Sequence, residues 1–455
     1  MVKRIALAFF LLAAGTAAFA TASVASPPPL TRITSLGVGP VPDYGMADLD
    51  GTLYLVYQTT APGSSTPNGL AMTSISPSGS ITAPVQVLSG WTPGRPGLAS
   101  GYGILNVFFG AVSPGPNPVS GVWEMTSNDL GKTWSAPADV AAGGALEALA
   151  YGSDVTAQLN PEPVLTLPQA GGLVVQQGVG AGSPAQVVTD NSDNFAADVN
   201  SAAAGGTVVA GWQSLAGSGG DWLQAVAPSL GTPQLVPGQH RNQLVVAGTA
   251  PGSHFYAAYT MDNTSVRLLE YGGGSVAVGA VPGVNADVLG VATGLAGRIW
   301  VMWGDSGHGI AVTRSNTAVT RFEPIQHLPY QSTSLYRLAG DGQYGPLDLL
   351  VDEIPNTGGG QVPGTFFARV LPKLSAKATV KAVKSKKGVI VSHKVIVAVT
   401  DAGDPAHAIV KIAGQQQTTN NSGIATFSLA ASIKGTVTVT VSALDYAVTT
   451  TSVHL

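Results

Sequence analysis

Short runs of alternating apolar and polar residues recur along the chain, such as Thr52-Leu53-Tyr54-Leu55-Val56-Tyr57, Leu105-Asn106-Val107-Phe108-Phe109 and Arg298-Ile299-Trp300-Val301-Met302-Trp303. Gly, Pro, Asn and Ser clusters bound them, and the 3.6-residue period of an amphipathic helix is almost absent, so the pattern predicts an all-β chain. A short signature also repeats: Asp48-Leu49-Asp50-Gly51, Leu98-Ala99-Ser100-Gly101, Leu149-Ala150-Tyr151-Gly152, Asp198-Val199-Asn200-Ser201, Val245-Val246-Ala247-Gly248, Asp287-Val288-Leu289-Gly290 and Leu338-Ala339-Gly340-Asp341. Its first residues lie 50, 51, 49, 47, 42 and 51 apart. A unit of about 48 residues holding three or four short strands suits a β-propeller blade, which cannot bury both faces of its sheet alone. Seven copies predict seven blades, each copy closing an innermost strand. The third copy is the least regular, and six blades is the alternative count. The last copy supplies three strands only, and the segment 31–37, ahead of the first copy, is expected to add the fourth and close the ring.

Composition and charge divide the chain. Residues 1–20 carry Lys3 and Arg4 ahead of an apolar run ending Ala18-Phe19-Ala20, the pattern of a cleavable export signal, and a Pro-rich leader occupies 21–30. No other segment is apolar for long enough to span a bilayer, so a secreted or extracellular protein, in places held at the cell surface, is expected. Residues 372–455 hold nine Lys against three Asp, a net of +6, whereas residues 21–371 hold ten Lys and Arg against 22 Asp and Glu, a net of −12. This shift places a boundary near Leu371, separating a propeller at 31–371 from a second unit at 372–455. The chain has no Cys, which excludes disulfides, zinc-thiolate sites and thiol nucleophiles, and its overall charge of −4 argues against a nucleic-acid partner.

One motif is sharp. Within Trp123-Glu124-Met125-Thr126-Ser127-Asn128-Asp129-Leu130-Gly131-Lys132-Thr133-Trp134, the positions Ser127, Asp129, Gly131, Thr133 and Trp134 fall in the order Ser-x-Asp-x-Gly-x-Thr-Trp. This resembles the Asp-box, or bacterial neuraminidase repeat, of the sialidase superfamily. The resemblance implies a hairpin between the outer two strands of a blade, in which the carboxylate accepts turn N–H groups, Gly takes a positive φ and Trp packs between blades. The box is thus structural and distant from the sugar pocket. Ser315 to Phe322 and Met72 to Gly79 are weaker echoes.

Sialidases bind the sugar carboxylate through three arginines, one of them usually in Arg-Ile-Pro, and use a Tyr nucleophile activated by Glu, with an Asp acid. Here Arg32-Ile33-Thr34 matches two of those three positions, which marks Arg32 as a carboxylate binder by resemblance, against the plainer reading of a solvated edge-strand charge. Blade position adds Arg95, Arg241 and Arg337, which open the second, fifth and seventh copies where a propeller's innermost strands begin, with Glu147 ahead of the third. An arginine fork suits a planar carboxylate. Strand alternation alone does not bring these arginines to one face; a bulge is needed. Asp48-Leu49-Asp50-Gly51 lacks the later acidic ligand of a calcium loop and reads as a turn. Neither a Gly-x-Ser-x-Gly elbow nor a phosphate loop occurs, and the reading calls for no metal and no cofactor.

The last 84 residues alternate throughout, as in Val395 to Thr400, Ala408 to Ile412, Gly423 to Leu429 and Thr436 to Val441. They predict a small β-sandwich and resemble bacterial Ig-like and carboxypeptidase-regulatory-like modules, which serve as spacers or adhesive appendages. The Lys excess reads as a solvated face or as a contact for an acidic wall polymer. The expected function is recognition or hydrolysis of extracellular carbohydrate, a terminal acidic sugar in the enzymatic version. A non-catalytic propeller acting as a surface-binding scaffold is the alternative, and the partner in either case is an extracellular glycan or cell-surface polymer.

Overall fold

The computed structural model describes residues 30–33, 44–61, 64, 66–142, 148–150, 164–169, 172–177, 185–188, 200–204, 207–214, 220–237, 246–249, 254–261, 265–280, 288–305, 309–328, 335–353 and 364–455. The export signal and all but the last residue of the Pro-rich leader lie outside them, as do Arg241 and Glu147. Regular structure among the described residues is β throughout, apart from one 3-10 turn at Leu295–Gly297, and no helix there is long and apolar enough to cross a membrane.

Seven four-stranded antiparallel meanders follow one another, described here as sheets 1 to 7. Sheet 1 comprises Tyr44–Leu49, Thr52–Thr60, Pro67–Ile75 and Val85–Ser89, and sheet 2 comprises Pro96–Gly101, Ile104–Val112, Ser120–Ser127 and Ala138–Ala142. Sheets 3, 4, 5 and 6 open with Ala148–Ala150, Asn200–Ala204, Val246–Thr249 and Leu289–Thr293. Sheet 7 contains Leu335–Asp341, Leu347–Glu353 and Gly364–Val370, and its fourth strand is Thr31–Arg32 from the other end of the chain, with Thr31 opposite Phe367 and Arg32 opposite Phe366. First strands of consecutive sheets lie against one another from sheet 1 to sheet 7. A shared core of Tyr44, Leu53, Leu55, Leu350 and Phe367 then returns sheet 7 onto sheet 1. The arrangement is a closed, propeller-like cycle.

Local chemistry explains the hairpins. Asp50 (φ 53°) and Gly51 (φ 77°) form a two-residue turn between Leu49 and Thr52, and Tyr102 (φ 52°) with Gly103 (φ 78°) does the same in sheet 2. Paired positive φ values match the right-handed twist of the flanking strands, which is why Gly occupies the second position of both turns. Every copy of the repeated signature touches the first strand of a sheet. In sheets 1, 2 and 7 it ends that strand as expected, but in sheets 4 and 6 it overlaps the start, because those strands begin at Asn200 and Leu289.

Residues 374–454 form two further sheets. Leu374–Lys384, Ile390–Asp401 and Asp404–Pro405 pair in order, and Ile424–Ala430 joins the other edge of Ile390–Asp401. The second sheet runs Gln415–Thr418, Ile409–Ile412, Thr436–Ser442, Thr449–His454. Val395, Val397, Val399, Phe427, Val410, Ile412, Val439 and Val441 fill one core between them.

A buried charge network fixes this pair of sheets to sheet 6. Arg314, 1% exposed, bonds Glu323 through Nε (2.9 Å) and Asp401 of the C-terminal pair at 2.7 Å, while its guanidinium lies over Trp300 and Tyr446. Arg298 reaches Asp401 at 3.1 Å and Asp404 at 3.4 Å. The Tyr446 hydroxyl donates to Asp401, and the Lys373 N–H donates to Glu323 at 2.8 Å. Asp404 also accepts the Thr317 N–H and hydroxyl from the Ser315 to Phe322 turn. Two arginines against three carboxylates leave no member of the network without an opposite charge, and such pairs are costly to break on one side only. Arg314→Leu is therefore expected to lower the unfolding free energy by about 3–5 kcal/mol, read by denaturant titration, with faster proteolytic cutting at Leu371 to Lys373.

Candidate functional site

The first strands of sheets 1, 2 and 7 meet, and each of their two ends carries a polar cluster. Where the strands begin, Asp352 of Leu347–Glu353 is fully buried and accepts three donors. These are Arg337 Nε at 2.6 Å, the Tyr44 hydroxyl at 3.1 Å and the Thr365 hydroxyl at 2.6 Å. A register shift between Leu335 and Arg337 sets Arg337 opposite Asp352, the type of bulge that re-aims a side chain. The Arg337 guanidinium sits 4.2 Å from the centre of the Tyr44 ring, a cation–π contact across the junction of sheets 7 and 1. Arg95, half-buried in the turn before Pro96–Gly101, is near enough for its charge to act on the Tyr44 phenol. Burial pushes that phenol far above its ordinary pKa, with Arg337 pulling it down less strongly. Tyr44 is thus a fixed hydrogen-bond donor, not a ready nucleophile.

Where the strands end, the group is acidic. Arg369 grips Asp348 through Nε (2.6 Å) and a terminal nitrogen (2.5 Å), and the same nitrogen donates to the Gly51 carbonyl at 3.1 Å. Asp341 accepts the Gln343 N–H and side-chain amide at 3.0 and 3.1 Å. Asp48 is 8% exposed, and its Oδ1 has no hydrogen-bond partner. Burial first, then the charges of Asp341 and Asp348, push Asp48 up to about 7; burial pushes Asp341 up to about 6.

The turn from Ser127 to Trp134 joins the third and fourth strands of sheet 2. The Thr133 N–H and hydroxyl donate to the Asp129 carboxylate at 2.9 and 2.7 Å, the Ser127 hydroxyl donates to it at 2.8 Å, and these bonds hold the carboxylate down to about 2. Ser127 Oγ accepts the Gly131 N–H at 2.7 Å, and Trp134 Nε1 donates to the Gly131 carbonyl at 3.1 Å while its ring packs on the core shared by sheets 1 and 2. Gly131 has φ 83°, and a Cβ there would lie 2.0 Å from the Met72 methyl of sheet 1. Asn316 repeats the device in sheet 6, its Oδ1 accepting the Thr320 and Arg321 N–H groups at 2.8 and 3.1 Å.

Of the arginines singled out in the sequence, Arg95 and Arg337 come together around Tyr44. Arg32 lies on the outermost strand of sheet 7, its guanidinium over Gly364 and three strands away from the row of Arg337. Thr365 carries no sequence mark for the site, and the adjacent Asp352 and Glu353 point to opposite faces of a strand and so do not read as a carboxylate pair; the roles of Tyr44, Asp352 and Thr365 depend on pairings across most of the chain. One signal did exist: Tyr44 opens the first copy as Arg95 and Arg337 open theirs, whereas Asp352, followed directly by Glu353, carries no mark of its own.

No family model matches the chain, and no curated protein is significantly similar to it. Among solved structures, a PL25 ulvan lyase bound to -[GlcA(1-4)Rha3S]- is similar over 74% of this chain and 96% of its own, with 11% identity and a TM-score of 0.44. Bacteroides ovatus xyloglucan PUL GH43B is similar over 93% of this chain and 92% of its own, with 12% identity and a TM-score of 0.37. A protein of unknown function from Dyadobacter fermentans has the same identity and score over 75% of this chain and 100% of its own. Scores this low leave the reading of the site to its own geometry.

Because burial raises Asp48 above the ordinary carboxylate value, the fold disfavours its charged form, and stability falls as pH rises from about 4 through 7. Asp48→Asn is expected to raise the unfolding free energy by about 1–3 kcal/mol at pH 8 and to change it little at pH 4.5, as followed by thermal unfolding at the two pH values.

Proposed function

We propose that this chain is an exported seven-bladed propeller carrying an Ig-like sandwich, and that it recognises an acidic extracellular carbohydrate without turning it over. The propeller is assigned to residues 31–371, the sandwich to 372–455 and the signal to 1–20. The observation that carries the reading is the convergence of Arg95 and Arg337, from two sheets, on Tyr44 at the end where innermost strands begin. Arg337 is committed to Asp352, and Arg95, half-buried beside Tyr44, is the arginine assigned to a sugar carboxylate. In the same loop Trp91 packs edge-on against Trp123 at 5.0 Å, and both rings lie on the core shared by sheets 1 and 2, which fixes the loop that carries Arg95. The Asp-box resemblance at Ser127, Asp129, Gly131, Thr133 and Trp134 supports a sialidase-like blade. Arg241, which lies outside the described residues, is proposed as a further carboxylate binder from its place in the sequence repeat alone.

Recognition is preferred over hydrolysis because Tyr44 is kept protonated and Asp352 is saturated by three donors, so neither is prepared for covalent catalysis. The mature protein is expected to retain sialylated or uronate-bearing glycans on an array and to show no turnover of a fluorogenic sialoside above buffer. Arg95→Ala is expected to weaken retention by about 10-fold or more, the loss of one charge-assisted bidentate contact, with an unchanged melting temperature. Equal retention of neutral and acidic glycans, or turnover abolished by Arg95→Ala, overturns this reading.

A further inference from the structure

We infer that the C-terminal pair of sheets docks the protein onto a lipid bilayer with anionic headgroups, through the tip of the hairpin formed by Leu374–Lys384 and Ile390–Asp401. The argument begins with where the charges go. Residues 372–455 contain three acids. Asp401 and Asp404 are bound to Arg298 and Arg314 at the seam with sheet 6, and the charge of Asp445 acts on Arg369 of sheet 7. All three are thus directed at arginines of the preceding sheets. Lys377, Lys381, Lys384, Lys386, Lys387 and Lys394 of the hairpin are exposed and form no ion pair among the described residues. Lys381 and Lys394 are direct cross-strand partners, an arrangement that costs stability unless an outside anion relieves it.

The tip is also apolar. Pairing of Ile390–Asp401 with Ile424–Ala430 begins only at Ser392 opposite Ala430, so residues 383–391 project past the third strand. Val383, Val389, Ile390 and Val391 are 40–63% exposed there, around an ordered turn in which the Gly388 N–H donates to Ser385 and the Ser385 N–H to Val389. Lysines on an edge strand alone fit protection against strand-to-strand aggregation. They leave the four exposed β-branched residues unexplained, and a soluble polyanion leaves them unexplained too. An anionic bilayer takes both, its headgroups meeting the lysines and its interfacial region the aliphatics along the side of the tip. The strand Ile390–Asp401 has 12 residues, so its tip stands roughly 36 Å from the seam, at about 3.3 Å per residue. A rigid seam at one end and a cationic, apolar tip at the other make an arm that holds the cycle of sheets at a fixed distance from the surface.

The test is co-sedimentation of the full mature protein with vesicles of phosphatidylcholine alone or mixed equally with phosphatidylglycerol, at low and physiological salt. Binding to the mixed vesicles only is expected. The Lys384→Gln/Lys386→Gln/Lys387→Gln variant should bind about 100-fold more weakly, close to fivefold per lysine. Val389→Ser/Ile390→Ser/Val391→Ser should lose binding at physiological salt. Both sets of positions are exposed, and an unchanged melting temperature verifies that the variants fold. Equal binding to both vesicle types, or none to either, overturns the inference. So does retention on a soluble polyanion such as heparin that the serine variant leaves unchanged, which assigns the lysines to a polymer.

Discussion

Sheets 1, 2, 6 and 7 bury apolar side chains on both faces and have their neighbours to cover them. That single requirement governs the architecture: sheets 1 to 7 are stable as a cycle, and the cycle is complete only if the last sheet reaches the first. The junction accordingly combines apolar, ionic and aromatic contacts. An apolar core of Tyr44, Leu53, Leu55, Leu350 and Phe367 lies between a cationic and aromatic cluster at one end and an acidic cluster at the other. Arg337–Asp352 and Arg369–Asp348 are buried ion pairs, and such pairs add geometric selectivity more readily than raw stability. Both pairs lie within sheet 7, where they orient the groups that reach sheet 1: Asp352 toward the Tyr44 hydroxyl and Arg369 toward the Gly51 carbonyl.

The same physics recurs at the seam with the C-terminal sheets. The turn of sheet 2 between Ser127 and Trp134 ends in its own hydrogen bonds, with Asp129 serving residues of that turn alone. In sheet 6 the equivalent turn keeps a local cap, Asn316, and leaves further donors to be met by Asp404 from outside. A closed turn has thereby become a docking point, and Arg314 and Arg298 add the charge that fixes it.

Strand content, the repeat and the fourth strand of sheet 7 were legible in the sequence because they rest on short-range signals: period-two alternation, Gly-bearing turns and a regular spacing. The phase of the signature was less legible, since the strands of sheets 4 and 6 begin inside it, at Asn200 and Leu289. Leu374–Lys384 was hidden by its lysines, which mask alternation on a strand that is largely exposed. Arg95 and Arg337 could be read from their place in the repeat. Their partners Tyr44 and Asp352 could not, because those two are 308 residues apart and no local pattern joins them.

The strand Thr31–Arg32 has a consequence in time. It is made before any other strand of the cycle, yet its partners Phe366 and Phe367 are made after sheets 1 to 6 and the rest of sheet 7. Six sheets can stack as they emerge, but the first-made segment must wait, unpaired, for the last-made one. Long-range closure of this kind slows the final step of folding and leaves a sticky edge open meanwhile. A two-residue strand exposes little while it waits, and the delay is therefore borne mainly by the outer edge of Gly364–Val370, which stays unpaired for as long as it takes Thr31 to find it.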